Sequence, residues 1–365
     1  MAEFGSAQKP PSEARRLPNL RELNLLTWPH LMKSPNPDSL KLVKEFGRPS
    51  IPFGIARVPG SGRVFFGSSD FAVSEADVTA AKFEAKDLYK HESYVTTVAL
   101  AGTTLVSGGY DGKMTWFDTV KNEKLRTTDA HAKWIRRIVA NAEGTVVASV
   151  ADDMVCKLWD AKTGKLIREL KGHEEKTPQH FTSMLYAVAF SADGKLLATG
   201  DKVGHVVIWD TATGKPLGTL EAPTLYTWDK AQRLHSIGGI RSVAFSPDGT
   251  QIAVGGMGKV GNIDHLEGKA RIEVFDWKNP SKPLVELQSD KFAGLVNQLR
   301  FAPDGAWLMG AGGAAEGFFL FIDVAAKKMT KQEKTGMHIH DVVLSDKADT
   351  ITVAGHNKLA VYSMG

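Results

Sequence analysis

Seven segments of this chain carry the same short apolar register: a hydrophobic residue, others three and five places later, then a turn. They are Phe53, Ala56, Val58; Val95, Val98, Leu100; Ile135, Ile138, Ala140; Leu185, Val188, Phe190; Ile240, Val243, Phe245; Val296, Leu299, Phe301; and Ile339, Val342, Leu344. Recurrence of this kind builds one small unit repeatedly, each copy burying its apolar face on the next. Behind several segments stands a tight-turn signal: Ser191-Ala192-Asp193-Gly194, Ser246-Pro247-Asp248-Gly249, Ala302-Pro303-Asp304-Gly305 and the looser Asn141-Ala142-Glu143-Gly144. Pro at the second place and Gly at the fourth suit a turn between strands, so each unit opens with a hairpin. A third strand then ends in an apolar residue plus Asp, at Asp118, Asp160, Asp210, Asp276 and Asp323, and a fourth follows, as at Leu166 to Leu170. The Asp endings recur at intervals of 42, 50, 66 and 47 residues. A period of about 40 to 45 residues is that of four-stranded propeller blades, and insertions account for the excess.

The pairs Trp159-Asp160 and Trp209-Asp210, the pair Gly172-His173 and the Ser-Pro-Asp-Gly turn resemble the WD-repeat family over about residues 40 to 365, and the tidy Asp-Gly turns are similar to those of bacterial members. The resemblance implies an all-β fold, a seven-bladed propeller of four-stranded antiparallel blades. The last unit supplies only three strands before the chain ends, whereas Leu40 to Phe46 reads like an outer strand yet precedes the first inner one. Pairing these two pieces would close the ring and leave no open edge. Residues 1–39 read as a separate arm. Its prolines forbid a long helix, while Leu20, Leu23, Leu25, Leu26, Trp28 and Leu31 predict a short helical turn packed on the ring. Met1 to Ser6 resembles a cloning remnant.

Composition narrows the function classes. No stretch reaches the run of about 18 to 20 apolar residues that a membrane-spanning helix needs. The net charge of +4 is too small a surplus to mark a phosphate-tracking surface, which argues against nucleic acid. A single cysteine, Cys156, excludes an intramolecular disulfide and a cysteine-rich zinc site, and it suits a reducing compartment; with no visible signal peptide, the expectation is a cytoplasmic monomer.

His131, Ser149, Asp153 and Trp159 invite a hydrolase reading, but no Gly-x-Ser-x-Gly elbow surrounds Ser149. In the WD-repeat family such a His, Ser or Thr, Asp and Trp form a structural tetrad, and the third unit resembles the complete set. The second unit has His91, Ser107 and Asp111 but Phe117 in place of Trp, so its network lacks a member; the fourth has Val203 where the Asp is expected. His338 and His340 lie on one face of an extended strand at a spacing that can bind metal, yet no acidic or thiolate partner joins them, so no metal or other cofactor is expected. The glycine-rich stretches 255–261 and 310–317 lack the Lys-Ser/Thr end of a phosphate loop.

The positional signal is stronger. The resemblance places the two residues after each first apolar position where inner strands approach the channel's upper mouth: Gly54 and Ile55, Thr96 and Thr97, Arg136 and Arg137, Tyr186 and Ala187, Arg241 and Ser242, Asn297 and Gln298, His340 and Asp341. The guanidinium groups offer fork-shaped donors for carboxylate or phosphate, with Tyr186 between them. Three insertions, 174–183, 223–239 and 257–270, emerge on the same face and carry Phe181, Tyr226, Trp228, His235 and His265. The expected function is a non-catalytic platform that captures a peptide or acidic loop with Arg136, Arg137, Tyr186, Arg241, Asn297, Gln298, His340, Tyr226 and Trp228. The rival reading is a small-ligand binder or hydrolytic enzyme at the channel mouth, for which only His340 and Asp341 offer convergent groups.

Overall fold

A computed structural model describes residues 33–230 and 234–365. Among them are seven four-stranded antiparallel sheets and one two-stranded hairpin, with no helix beyond short 3-10 turns. None is long and apolar enough to cross a membrane. The sheets follow one another as blades one to six, whose inner strands are Pro52–Arg57, Val95–Ala101, Ile135–Ala140, Leu185–Phe190, Ser242–Phe245 and Leu295–Phe301. Blade seven joins Ile339–Leu344, Thr350–Gly355 and Lys358–Ser363 to the strand Lys41–Gly47. Leu42 pairs with Tyr362 and Lys44 with Val361, so the expected closure of the ring is present.

Burial explains the residue pattern. Second strands such as Val146–Ala151 are buried at nearly every position because neighbouring blades cover both faces, and they read as continuous apolar runs. Outer strands such as Leu166–Leu170 pack one side only. Apolar clusters fill the spaces between blades: Ile208 and Ile240 with Phe275 between blades four and five, Phe319 and Phe321 with Ile339 and Tyr362 between six and seven. Each such fully buried side chain contributes about 1.5–3 kcal/mol.

The arm divides. Residues 1–32, and with them the turn expected around Leu20 to Leu31, lie outside the described residues. Residues 34–39 belong with the ring: Ser34 N donates to the Asp304 carboxylate (2.8 Å), and Trp307 Nε1 to the Pro35 carbonyl (3.0 Å).

One register expectation needs correction. In six inner strands the pairing skips a single residue near the start, a β-bulge that turns that residue out of the ladder. The skipped residues are Phe53, Thr96, Arg136, Tyr186, Asn297 and His340. Arg241 stands just before its strand, its amide donating to the Gly255 carbonyl (2.8 Å). Blade one therefore presents Phe53 and Gly54, not Gly54 and Ile55; Ile55 is buried in the core at the place of Val98 and Ile138. The apolar Phe53 had disguised a mouth position as a core position.

Candidate functional site

The bulges divide the residues of the channel end into two levels. At the deeper level Arg137 Nη2 donates to Gln298 Oε1 (3.1 Å) and to Asp341 Oδ1 (2.9 Å), across the ring from blade three to blades six and seven. Asp341 is buried and also accepts from the Ile55 amide (3.0 Å). Arg300 approaches the same carboxylate at 3.7 Å; burial, with Arg137 nearby, pushes its guanidinium down to about 10. These groups brace the channel wall.

At the upper level the skipped residues meet the turns. Arg136 grips Asp152 with both ends of its fork (Nε–Oδ1 2.7 Å, Nη2–Oδ2 2.6 Å) and lies over Tyr110, Trp134 and Tyr186, 5.3–5.6 Å from each ring centre. Arg241 lies over the Tyr186 ring, 3.9 Å from its centre, and its buried Nε has no hydrogen-bond acceptor among the described residues. Lys202, also buried, has its ammonium pushed below the usual lysine range by burial and then by Arg241. On the far side Asn297 Nδ2 donates to His338 Nε2 (2.9 Å) and to the Ile339 carbonyl (2.8 Å). His338 Nδ1 donates to the Ala314 carbonyl (2.7 Å), so both its nitrogens are engaged in the neutral form. His340 stacks on His338 at 4.7 Å; burial and the neighbouring histidines push it down to about 3. Among the described residues no group of three or more His, Cys, Asp or Glu is arranged to hold a metal ion.

The two insertions that carry the aromatic residues pack on each other. Tyr226 Oη donates to Gln179 Oε1 (2.7 Å), and Phe181 lies 5.2 Å from Trp228. Tyr226 is buried, whereas Trp228 is half-buried on the hairpin Tyr226–Asp229 with His235–Gly238. Lys259 Nζ, from the third insertion, caps the Pro223 carbonyl (2.9 Å). The second insertion ends at Gly239, where φ is +99° and an added Cβ would stand 2.7 Å from Lys202 Cα, so only glycine lets this loop lie against Lys202.

A contiguous aromatic arc was not expected. Phe71, Tyr94, Tyr110 and Trp134 follow one another with ring centres 5.6, 5.8 and 4.1 Å apart. Phe71, Tyr94 and Trp134 remain 38%, 41% and 47% exposed, enough to form one apolar surface from blade one to blade three. A cavity of about 410 Å³ opens beside it, lined by Tyr110, Lys133, Trp134, Asp152 and Met184. The missed signal lies one step outside each hairpin. Tyr94, Trp134 and Met184 precede the first strand, and Tyr110, Asp152 and Lys202 follow the second, each pair joined by a backbone bond of 2.9–3.0 Å.

The polar tetrads are inside the blades. In blade three His131 Nδ1 meets Asp153 (3.0 Å), while His131 Nε2 and Trp159 Nε1 converge on Ser149 Oγ (2.7 and 2.9 Å). Burial acts to raise the Asp153 carboxyl, but bonds from His131 and from backbone amides hold it below the usual range. Ser149 is fully buried, out of reach of a substrate. Two expectations are overturned. Blade four is complete, because Asp201 takes the place sought at Val203: His173 meets Asp201 (3.0 Å) and Thr199 (2.8 Å), and Trp209 donates to Thr199 (2.9 Å). Blade two does not lose a member, because the Tyr89 hydroxyl reaches Ser107 (3.0 Å) in place of the indole.

Fold and site together define a closed repeat propeller with a polar-aromatic mouth. The family model described as WD domain, G-beta repeat matches residues 122–160, 164–210 and 230–260. Apoptotic protease-activating factor 1 of Rattus norvegicus is 29% identical over 165 residues, 45% of this chain and 12% of that protein. Nuclear distribution protein PAC1-2 of Uncinocarpus reesii is 29% identical over 164 residues, 41% of this chain and 35% of that protein. Eukaryotic translation initiation factor 3 subunit I of Scheffersomyces stipitis is 29% identical over 136 residues, 36% of this chain and 33% of that protein. Over these segments the chain is similar to WD40 repeat proteins, and each match spans about a third or less of the relative's length. The relatives are eukaryotic, so the likeness of the turns to bacterial members finds no support in them.

Proposed function

We propose that this chain is a non-catalytic interaction platform whose upper face captures a protein partner through an acidic segment. The observation that carries the reading is the exposed arc from Phe71 to Trp134 running into Arg136, Tyr186 and Arg241 at one rim of the mouth. Exposed aromatic residues on a rigid scaffold are the usual anchors of protein interfaces, and guanidinium groups beside them favour an acidic segment. Asn297, His340 and the Trp228 hairpin extend this face, with Tyr226 as the hairpin's buried anchor, while Arg137 and Gln298 hold the wall beneath it. The relatives point the same way: one is by name a subunit of a larger factor.

The test is quantitative co-purification with wild-type protein and two folded variants, Tyr94→Ala with Trp134→Ala, and Arg241→Glu. Recovery of partners is expected to fall at least about tenfold in each, as loss of interface anchors does. Equal recovery by all three would refute the reading.

A further inference from the structure

The charges at the Tyr186 rim do not balance. Arg136 is matched by Asp152 through two short bonds. Neither Arg241 nor Lys202 forms an ion pair with a carboxylate among the described residues: Arg241 has the Tyr186 ring and a buried Nε without an acceptor, and Lys202 lies buried near it, where the Asp152 carboxylate already held by Arg136 acts on it only at longer range. Both positions are fixed by the backbone. The Lys202 amide donates to the Met184 carbonyl (2.9 Å), the Ile240 amide to the Asp201 carbonyl (3.0 Å), and Tyr186 Oη to Met184 Sδ (2.9 Å). A half-buried guanidinium and a buried ammonium near each other, neither in an ion pair of its own, are costly unless an anion completes the site.

We infer that Arg241 and Lys202 form an anion clamp for a phosphorylated side chain of the partner, seated beside Tyr186. This rests on the platform reading above and names what its acidic segment carries. Charge decides between the candidates. Three cations against Asp152 leave a surplus of two, which one phosphoryl group of about −1.5 to −2 neutralises and one carboxylate halves. The planar fork of Arg241 with the three-donor ammonium of Lys202 also suits three phosphoryl oxygens better than two carboxylate oxygens. A clamp at one spot, on a chain of net charge +4, fits a single phosphate and not the track of phosphates a nucleic acid presents.

The experiment titrates the whole chain with N-acetyl-phosphoserine amide, N-acetyl-aspartate amide, N-acetyl-serine amide and a ten-nucleotide oligo-dT at about 0.1 M salt, followed calorimetrically, for wild type, Arg241→Gln and Lys202→Met. Phosphoserine amide is expected to bind at least about tenfold more tightly than aspartate amide, and to lose about tenfold in each variant. The variants' folding is checked by their melting curves, and Arg241→Lys, which keeps a cation at position 241 beside Lys202, is expected to retain part of the binding that Arg241→Gln loses. Absence of phosphoserine binding to wild type, binding unchanged in both variants, or preference for the oligonucleotide would overturn the clamp. Partner recovery in the co-purification test is read separately, so the clamp can fail while the platform stands.

Discussion

Replacing Ser149 with Ala should destabilise the ring far more than loss of one hydroxyl suggests. Ser149 Oγ is the shared partner of His131 Nε2 and Trp159 Nε1, and all three side chains are buried. Water cannot reach the groups left behind, so two polar atoms lose their partner at once. At about 1–3 kcal/mol for each unsatisfied buried group, with some relaxation, the cost should be about 2–4 kcal/mol. Urea unfolding of wild type, Ser149→Ala, Trp159→Phe and the double variant measures it as midpoint shifts at common slope. Because Trp159→Phe removes one of the two stranded groups, the double variant should cost about 1 kcal/mol less than the sum of the singles. A Ser149→Ala cost below about 0.5 kcal/mol, or strict additivity, would show that the network is not closed in the way described.

Acid should weaken the fold through His340. Its folded pKa, about 3, lies below that of an unfolded histidine, so the neutral form is favoured in the ring, and the unfolded chain binds the extra proton between pH 6.5 and 3. Stability should therefore be full above pH 6.5 and fall as pH drops through that window by up to about 1.4 kcal/mol per pH unit, a slope that His340→Gln should reduce; an unchanged slope contradicts the assignment. Removal of residues 1–47 should bare the edge of Lys358–Ser363, lower the melting temperature and produce larger species in light scattering. A monomer with unaltered melting would show that the Lys41–Gly47 strand does not seal the ring.

Most of the architecture was legible because propeller strands write themselves plainly: apolar spacing, Asp-Gly turns and Asp endings each report a local backbone need. The closing strand was legible from what blade seven lacked. Less legible were features where one residue's role passed to another by a change of geometry. Asp201 serves blade four from the end of its strand instead of from the following turn, and Tyr89 reaches Ser107 from the outer strand, so a fixed motif spacing misses both. At the mouth, a bulge put Phe53 where apolar periodicity predicts core. The aromatic arc was hidden because Tyr94, Tyr110 and Trp134 come from separate turns and become neighbours only when the blades are set side by side.

The central claim is that partners sit on the mouth face. A photo-cross-linking side chain in place of Lys133, which is exposed and lines the cavity beside the arc, is compared with one in place of Val120, which is 74% exposed in a turn at the opposite end of its blade. The account predicts partner adducts from position 133 and none from position 120; adducts from 120 alone would contradict it.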